Sequence, residues 1–391
     1  MVWLVVQKHI VLTTGLLSDF LMKFSTSKTE LQQALQKLSK ASPTRSTLPI
    51  LGCVLVESKE DKTTLKSTDL ELTIEVEIPS SLEEGGVAAL PLKTLLDITN
   101  ELPEARLTIT VDEKNRTTIE TDLGKYDLMA KPPEEFPATP NQKSPQKLSI
   151  PGNTLKDIIN TTTFAVSKDE LKPALTGVLL RVSQSVITAV STDGHRLVKH
   201  TRKDYGSDGF EGDLIIPKKF LSYMSSHLTN DDVELVIAES HLGARVGNDH
   251  ILTRVIDEAF PNYESVIPKE NNKRLQIEKE SLLSSIRRVA IFSNKATHQV
   301  ALSLSKDSCV ISTEDPEKSS KAQETIKAEY DGDPITIGYN ADYLKDVVSH
   351  TQGNVVVIDL STPVGAALFS PVELEEHTES IMLLMPIRLN D

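Results

Sequence analysis

The sequence predicts an α+β protein of three tandem domains, each roughly a βαβββ unit repeated twice. Three observations lead there. Landmark dipeptides return at a near-constant interval, a short amphipathic helix follows each of three matching strands, and alternating runs fill the space between. Thr68-Asp69 recurs as Thr192-Asp193, 124 positions on, and loosely as Thr313-Glu314-Asp315. Phe136-Pro137 recurs as Phe260-Pro261, again 124 on, and as Met385-Pro386, 125 further. A period this long marks duplication of a whole domain, since solenoid and propeller repeats are far shorter.

Taken in order, residues 1–21 form an apolar extension that holds the only tryptophan, Trp3. Lys8 and His9 break its apolar run and no A-x-A-like cleavage site follows, so a signal peptide is not expected. The run is also too short to span a bilayer. We read Met22 as the start of the first domain and expect the extension to be dispensable. The domains are assigned as 22–146, 147–272 and 273–391. They open on Met22-Lys-Phe-Ser-Thr, Lys147-Leu-Ser-Ile-Pro and Arg274-Leu-Gln-Ile-Glu. Helices follow near 27–40, 152–163 and 279–290. Their apolar residues keep helical spacing: Leu31, Ala34, Leu35 and Leu38; Leu155, Ile158 and Ile159; Leu282, Leu283, Ile286 and Val289. Ser27 with Glu30 makes a capping box. Leu90-Pro91, Ile216-Pro217 and Gly338-Tyr339-Asn340 introduce three further helices, and runs such as 70–78, 106–111 and 233–238 read as antiparallel strands.

Composition bounds the function. At 391 residues the chain suits two to four domains at ~100–200 residues each. Charged residues at 25% and apolar ones at 39% describe an ordinary globular protein. Two cysteines, Cys53 and Cys309, cannot build a metal site or a disulfide framework, which fits a reducing cytosol. No metal or cofactor is expected. A net charge of −14 argues against a surface coated in nucleic acid, though not against a local basic face. The six helices carry 11 Lys or Arg against 7 Asp or Glu, so the rest of the chain holds a net −18. The first helix exposes Lys28, Gln32, Gln33, Gln36, Lys37 and Lys40, and the fifth is expected to expose Ser284, Ser285, Arg287 and Arg288. Such bases suit phosphate contact without sequence readout.

Size then suggests an assembly. A 125-residue domain is roughly 35 Å across, so three in a ring leave a hole of only about 5 Å, while six leave about 35 Å, enough for hydrated duplex DNA. Two chains joined head to tail supply six. An enzyme reading would rest on Asp193-Gly194-His195-Arg196, but acid–base work needs a nucleophile or metal beside these groups. No HExxH, P-loop, GxSxG or GxGxxG accompanies them. His195 and His200 are taken to point to opposite faces of one strand, and Gly206, Gly209 and Gly212 to be turns. A β-rich repeat scaffold without DNA remains the other alternative, though it leaves the basic helices unexplained.

Several longer words carry a resemblance: Met22-Lys-Phe, Thr47-Leu-Pro-Ile-Leu-Gly52, Thr68-Asp-Leu-Glu71, Thr192-Asp-Gly-His-Arg-Leu197, Phe260-Pro-Asn-Tyr263, Ser293-Asn294 and Met385-Pro-Ile-Arg-Leu389. From Met22 to Leu389 the chain resembles the beta sliding clamps, the processivity subunits of bacterial DNA polymerase III. The resemblance implies a non-catalytic cytoplasmic protein, dimerised head to tail into a ring with helices lining the pore. It encircles duplex DNA and tethers polymerase, clamp loader and other proteins carrying a short clamp-binding motif.

By the same resemblance, a peptide groove between the second and third domains would be walled by Leu175, Thr192, Gly194, His195, Arg196, Leu197, Pro261 and Val266. Its other side would be Asn340, Tyr343, Met385, Pro386, Ile387, Arg388 and Leu389. The apolar members would form a slot, with His195, Arg196 and Arg388 framing it as donors. Ser265 stands where well-known members carry Arg, and Thr297 where they carry Phe; Asn390 and Asp391 run past the usual end. DNA contact would fall to Arg45, Lys172, Lys218 and Lys219. The ring joint would pack Tyr126, with Lys125 beside it, on Ile291 and Phe292 of the partner. Lys318 and Lys321 interrupt the acids Glu314, Asp315, Glu317 and Glu324, so the joint's apolar part should matter more than its ionic part.

Overall fold

The computed structural model describes residues 20–60, 62–140, 145–203 and 209–389. The expectations for residues 1–19, Gly206, Asn390 and Asp391 lie outside them. The chain forms two compact units, Met1–Thr139 and Pro140–Asp391. The first holds one copy of the repeated order and the second holds two.

Among the described residues six α-helices sit at equivalent points of the repeats: α1 (Lys28–Leu38), α2 (Leu92–Glu101), α3 (Gly152–Thr162), α4 (Lys218–His227), α5 (Lys279–Ala290) and α6 (Ala341–His350). Ser27 caps α1, its Oγ accepting the Glu30 amide at 3.1 Å. The apolar stripes face inward: Leu31, Ala34, Leu35 and Leu38 of α1 are buried, as are Leu155, Ile158 and Ile159 of α3. Within each repeat the two helices pair, through Gln32 Nε2 to Asn100 Oδ1 (2.7 Å) in the first and Ser225 Oγ to Asn160 Oδ1 (2.9 Å) in the second.

Each half of a repeat lends its first strand to the sheet of the other half. In the first unit, strand Phe20–Ser27 precedes α1 yet pairs with Arg106–Asp112, which follows α2. In return Gly86–Pro91 pairs with Cys53–Lys59. The second unit repeats the exchange, with Gln146–Pro151 on Asp232–Ile237, Gly212–Pro217 on Gly177–Val182, Lys273–Glu278 on Val355–Leu360 and Ile335–Asn340 on Gln299–Ser305. Neither half can therefore close its sheet alone. The first strand begins at Phe20, opposite Asp112, so the last two residues of the expected extension belong to it.

The second and third repeats share one nine-stranded sheet. It is continuous because Arg196–Arg202 pairs antiparallel with Thr378–Leu384, from Arg196↔Leu384 to Arg202↔Thr378. Below this seam lies an apolar cluster of Leu179, Val190, Leu197, Ile215, Tyr263 and Leu383.

Three sequence expectations need correction here. Ser285 is 0% exposed, because it falls on the side of α5 that packs on the sheet. The exposed Arg288 is not a free cation, since it forks onto Glu324 at 2.7 and 2.6 Å. The acidic run is likewise altered: Asp315 is buried and its Oδ1 accepts from Asn294 Nδ2 and the Glu317 amide.

Candidate functional site

The word Thr192-Asp-Gly-His-Arg is a hairpin turn whose side chains close their own backbone. Thr192 Oγ1 donates to the Arg196 carbonyl (2.7 Å) and accepts the Gly194 amide (3.1 Å). Asp193 Oδ1 accepts the amides of His195 (2.9 Å) and Arg196 (3.0 Å). Gly194 turns at φ +90°, where a glycine is favoured. Thr68-Asp69 builds the same turn in the first unit, with Leu70 at φ +80° in the glycine's place. The carboxylate of the catalytic-looking cluster thus serves the turn. His195 lies in that turn, ahead of the strand, so it does not share a strand with His200 as expected. His200 is fully buried, with Nε2 3.0 Å from Asp157 Oδ2.

The turn and the C-terminal segment meet at the seam. The Met385 amide donates to the His195 carbonyl (2.8 Å), and the Ile387 amide to the Gly338 carbonyl (2.9 Å). Gly338 is required at this crossing, because a Cβ there would stand 2.6 Å from the Ile387 oxygen. Of the expected groove residues, Gly194, His195, Pro261, Val266, Met385 and Arg388 are exposed. Leu175, Asn340, Tyr343, Pro386, Ile387 and Leu389 are half-buried. Thr192, Arg196 and Leu197 are buried, and so support the surface from beneath.

Two roles differ from expectation. Arg196 does not offer an open guanidinium: Nε lies 3.1 Å from Asp193 Oδ2, Nη1 2.5 Å from Asp346 Oδ2, and Nη2 donates to the Phe164 carbonyl at 2.8 Å. Asn340 is a helix cap, its Oδ1 accepting the amides of Asp342 and Tyr343 while Nδ2 donates to the Thr297 carbonyl. Ser265 closes its own turn through the Asn262 carbonyl (2.8 Å). Burial, with the Asp193 charge nearby, pushes the Tyr343 phenol above its ordinary range. Sequence reasoning missed Phe164, Asp346, Leu383 and Gly338. Only Gly338 left a signal, as the glycine opening Gly338-Tyr339-Asn340.

Among the expected phosphate contacts, Arg45 is exposed on a loop of the first unit. Lys172 is exposed before a short 3-10 turn (Pro173–Thr176), and Lys219 is exposed in the first turn of α4. Lys218 is half-buried; burial, together with Lys168 and Arg196 nearby, pulls its ammonium below the ordinary value. Lys168, exposed in the same loop as Lys172, was missed by the sequence reading.

For the expected joint, Ile291 and Phe292 follow α5 and are 78% and 44% exposed. Ser320 Oγ donates to the Phe292 carbonyl, which sets this pair beside strand Ser320–Lys327, an edge of its sheet. Tyr126 is half-buried on Gly124–Met129, also an edge strand, with Leu123 and Met129 exposed around it. Lys125 pairs with Glu120 at 3.0 Å. Among the described residues no cluster of His, Cys, Asp and Glu could hold a metal ion, and no helix is long and apolar enough to cross a membrane.

Comparison with known proteins follows the same division into repeats. The models of the DNA polymerase III beta subunit N-terminal, central and C-terminal domains match residues 22–140, 149–262 and 264–387. The chain is 27% identical over 372 residues to the beta sliding clamp of Chlamydia muridarum, covering 95% of this chain and 100% of that protein. It is 28% identical to the Vibrio cholerae beta sliding clamp, covering 94% and 100%. A crystal structure of the Pseudomonas aeruginosa sliding clamp bound to griselimycin superposes with a TM-score of 0.86 at 28% identity, covering 94% and 100%. The Bacillus subtilis DNA polymerase sliding clamp gives 0.86 at 26% identity, with the same coverage.

Proposed function

The chain belongs to the DNA polymerase III beta subunit family, the bacterial beta sliding clamps, and from that premise we propose how it assembles and which residues serve it. It is a DNA sliding clamp, a processivity factor and not an enzyme. Two copies join head to tail, their six repeats enclosing duplex DNA with the helices toward the pore.

One observation carries the ring. Inside the second unit, repeats join by pairing the strand that ends a first half (Arg196–Arg202) with the strand that ends a second half (Thr378–Leu384). Ser320–Lys327 is the third strand after α5, as Arg196–Arg202 is after α3, and Gly124–Met129 is the third strand after α2, as Thr378–Leu384 is after α6. Both are edge strands. An unpaired edge flanked by exposed apolar side chains is a template for another chain. Pairing these two across copies would reproduce the internal seam and close a cyclic dimer.

Arg45, Lys172, Lys218 and Lys219 would touch phosphates weakly, as a ring that slides requires. The surface of Gly194, His195, Pro261, Val266 and Met385–Leu389 would take an extended peptide from the polymerase, and from the loader and other DNA-processing partners, by its apolar side chains. Tethering turns rebinding of the template into an intramolecular event at high effective concentration. The test is topological. Loaded onto a nicked plasmid, the protein should stay bound through a high-salt wash and be released when the plasmid is linearised. Equal loss from circular and linear DNA would refute encirclement.

A further inference from the structure

At the seam between the second and third repeats, two stacked ring pairs flank one guanidinium. His195 rests on Tyr343 (centroids 5.6 Å apart, planes at 20°) and His350 on Phe164 (4.0 Å, 10°). The Arg196 guanidinium sits between the pairs, 4.7 Å from the Tyr343 centroid and 5.3 Å from that of Phe164. Its side chain is 8% exposed, and Asp193, Asp346 and the Phe164 carbonyl hold its edge at 3.1, 2.5 and 2.8 Å.

We infer that Arg196 is a positioning residue of the groove, which fixes Tyr343 and the His195 ring as its rigid lip without itself touching the peptide. This rests on the groove reading above. A planar cation flanked by two rings and held on its edge by two carboxylates and a carbonyl is tightly restricted in orientation. Arg196 belongs to the hairpin of the second repeat, whereas Asp346 and Tyr343 lie on α6 of the third, so the clamp spans the seam. The His195 carbonyl also receives the Met385 amide, so a shift of the hairpin displaces the C-terminal wall as well. Lysine cannot replace the arginine, since its point charge neither stacks as a plane nor forks onto two carboxylates.

The probe is a synthetic peptide copied from the clamp-binding segment of the cognate replicative polymerase, titrated into the full-length dimer. Arg196→Lys and Asp346→Asn should each weaken binding roughly tenfold or more, as expected for loss of a charged hydrogen bond. The double variant should be no weaker than the worse single one, because both changes break the same clamp. Histidine-labelled NMR gives a second readout, without peptide. The His195 ring signal, shifted by the Tyr343 ring, should move toward its unstacked position in both variants while signals of residues away from the seam stay in place.

If Arg196 instead donated directly to the peptide, Asp346→Asn would leave affinity and the His195 signal unchanged, and the inference would fall. A native protein that binds no peptide would refute the groove reading, and the NMR arm would still decide the positioning role.

Discussion

Leu70 and Gly194 occupy the same corner of the same turn, and only one of them is a glycine. A leucine at φ +80° carries a steric penalty on the order of 1–2 kcal/mol, which glycine lacks. Glycine costs some chain entropy in return. Leu70 is 54% exposed, so it contributes little burial to offset the strain. Leu70→Gly should therefore stabilise the first unit by up to about 1 kcal/mol. Thermal unfolding checks this, with Leu70→Ala as the control that keeps the strain. A midpoint no higher for glycine than for alanine would mean that the turn holds no strain worth relieving. The Thr-Asp signal was readable because a side chain that bonds its own backbone leaves a local trace. Arg196 left no such trace: its partners Phe164 and Asp346 lie 32 and 150 positions away, and nothing local separates a buried clamp from an open donor.

At the scale of elements, helical stripes and period-two runs made the six helices and the repeat order legible, because each helix buries one face on a sheet. Strand exchange was not legible, since pairing partners are set by tertiary packing and not by pattern. The same limit explains Ser285, a polar residue on the packed side of α5. Gly338 lies where strand Ile335–Asn340 meets the C-terminal segment, and it supports the sharpest prediction here. Gly338→Ala forces a Cβ toward the Ile387 oxygen and the Leu389 side chain. Loss of the Ile387 hydrogen bond, about 1 kcal/mol, should free the segment and weaken peptide binding while the sheet stays intact. Faster amide exchange at Ile387, with strand 335–340 still protected, is the expected pattern.

Helix α3 offers a pH-dependent counterpart. Burial tends to raise the Asp157 carboxyl, but His200 and Arg202 outweigh it and hold its pKa below the ordinary value. Gln352 Nε2 donates to the same carboxylate at 3.1 Å. A depressed carboxylate stabilises the fold above its unfolded pKa of about 3.9, and that stability is lost as pH falls through the lower folded value. Asp157→Asn should lower the urea midpoint at pH 7 and flatten its decline in acid. Parallel curves for the two proteins would exclude Asp157 as a source of acid sensitivity.

For the whole molecule, a net −14 hides a division that the fold exploits. The helices are net positive while the rest of the chain carries the acidic excess, so a ring with its helices inward would attract DNA into its pore and repel it from its rim. Closure of the proposed ring would then depend on the joint. Its ionic component should be small, because Glu324 is held by Arg288 and Lys125 by Glu120 within one chain. The apolar component remains in Ile291 and Phe292, exposed beside the edge strand Ser320–Lys327. Burying both against Tyr126 of the partner would remove two large side chains from water at each of two joints. Replacing both by Ala should cost on the order of 3 kcal/mol per side chain where the site is fully buried. In the proposed ring the two joints would reinforce each other, since opening one leaves the other intramolecular; weakening both together would remove that advantage. Light scattering at micromolar concentration should therefore find the double variant as monomers of unchanged helix content, and plasmid retention should vanish with the ring. A double variant that remains a dimer would place the joint elsewhere. One that becomes monomeric yet is still trapped on circular DNA would show that closure does not require these side chains.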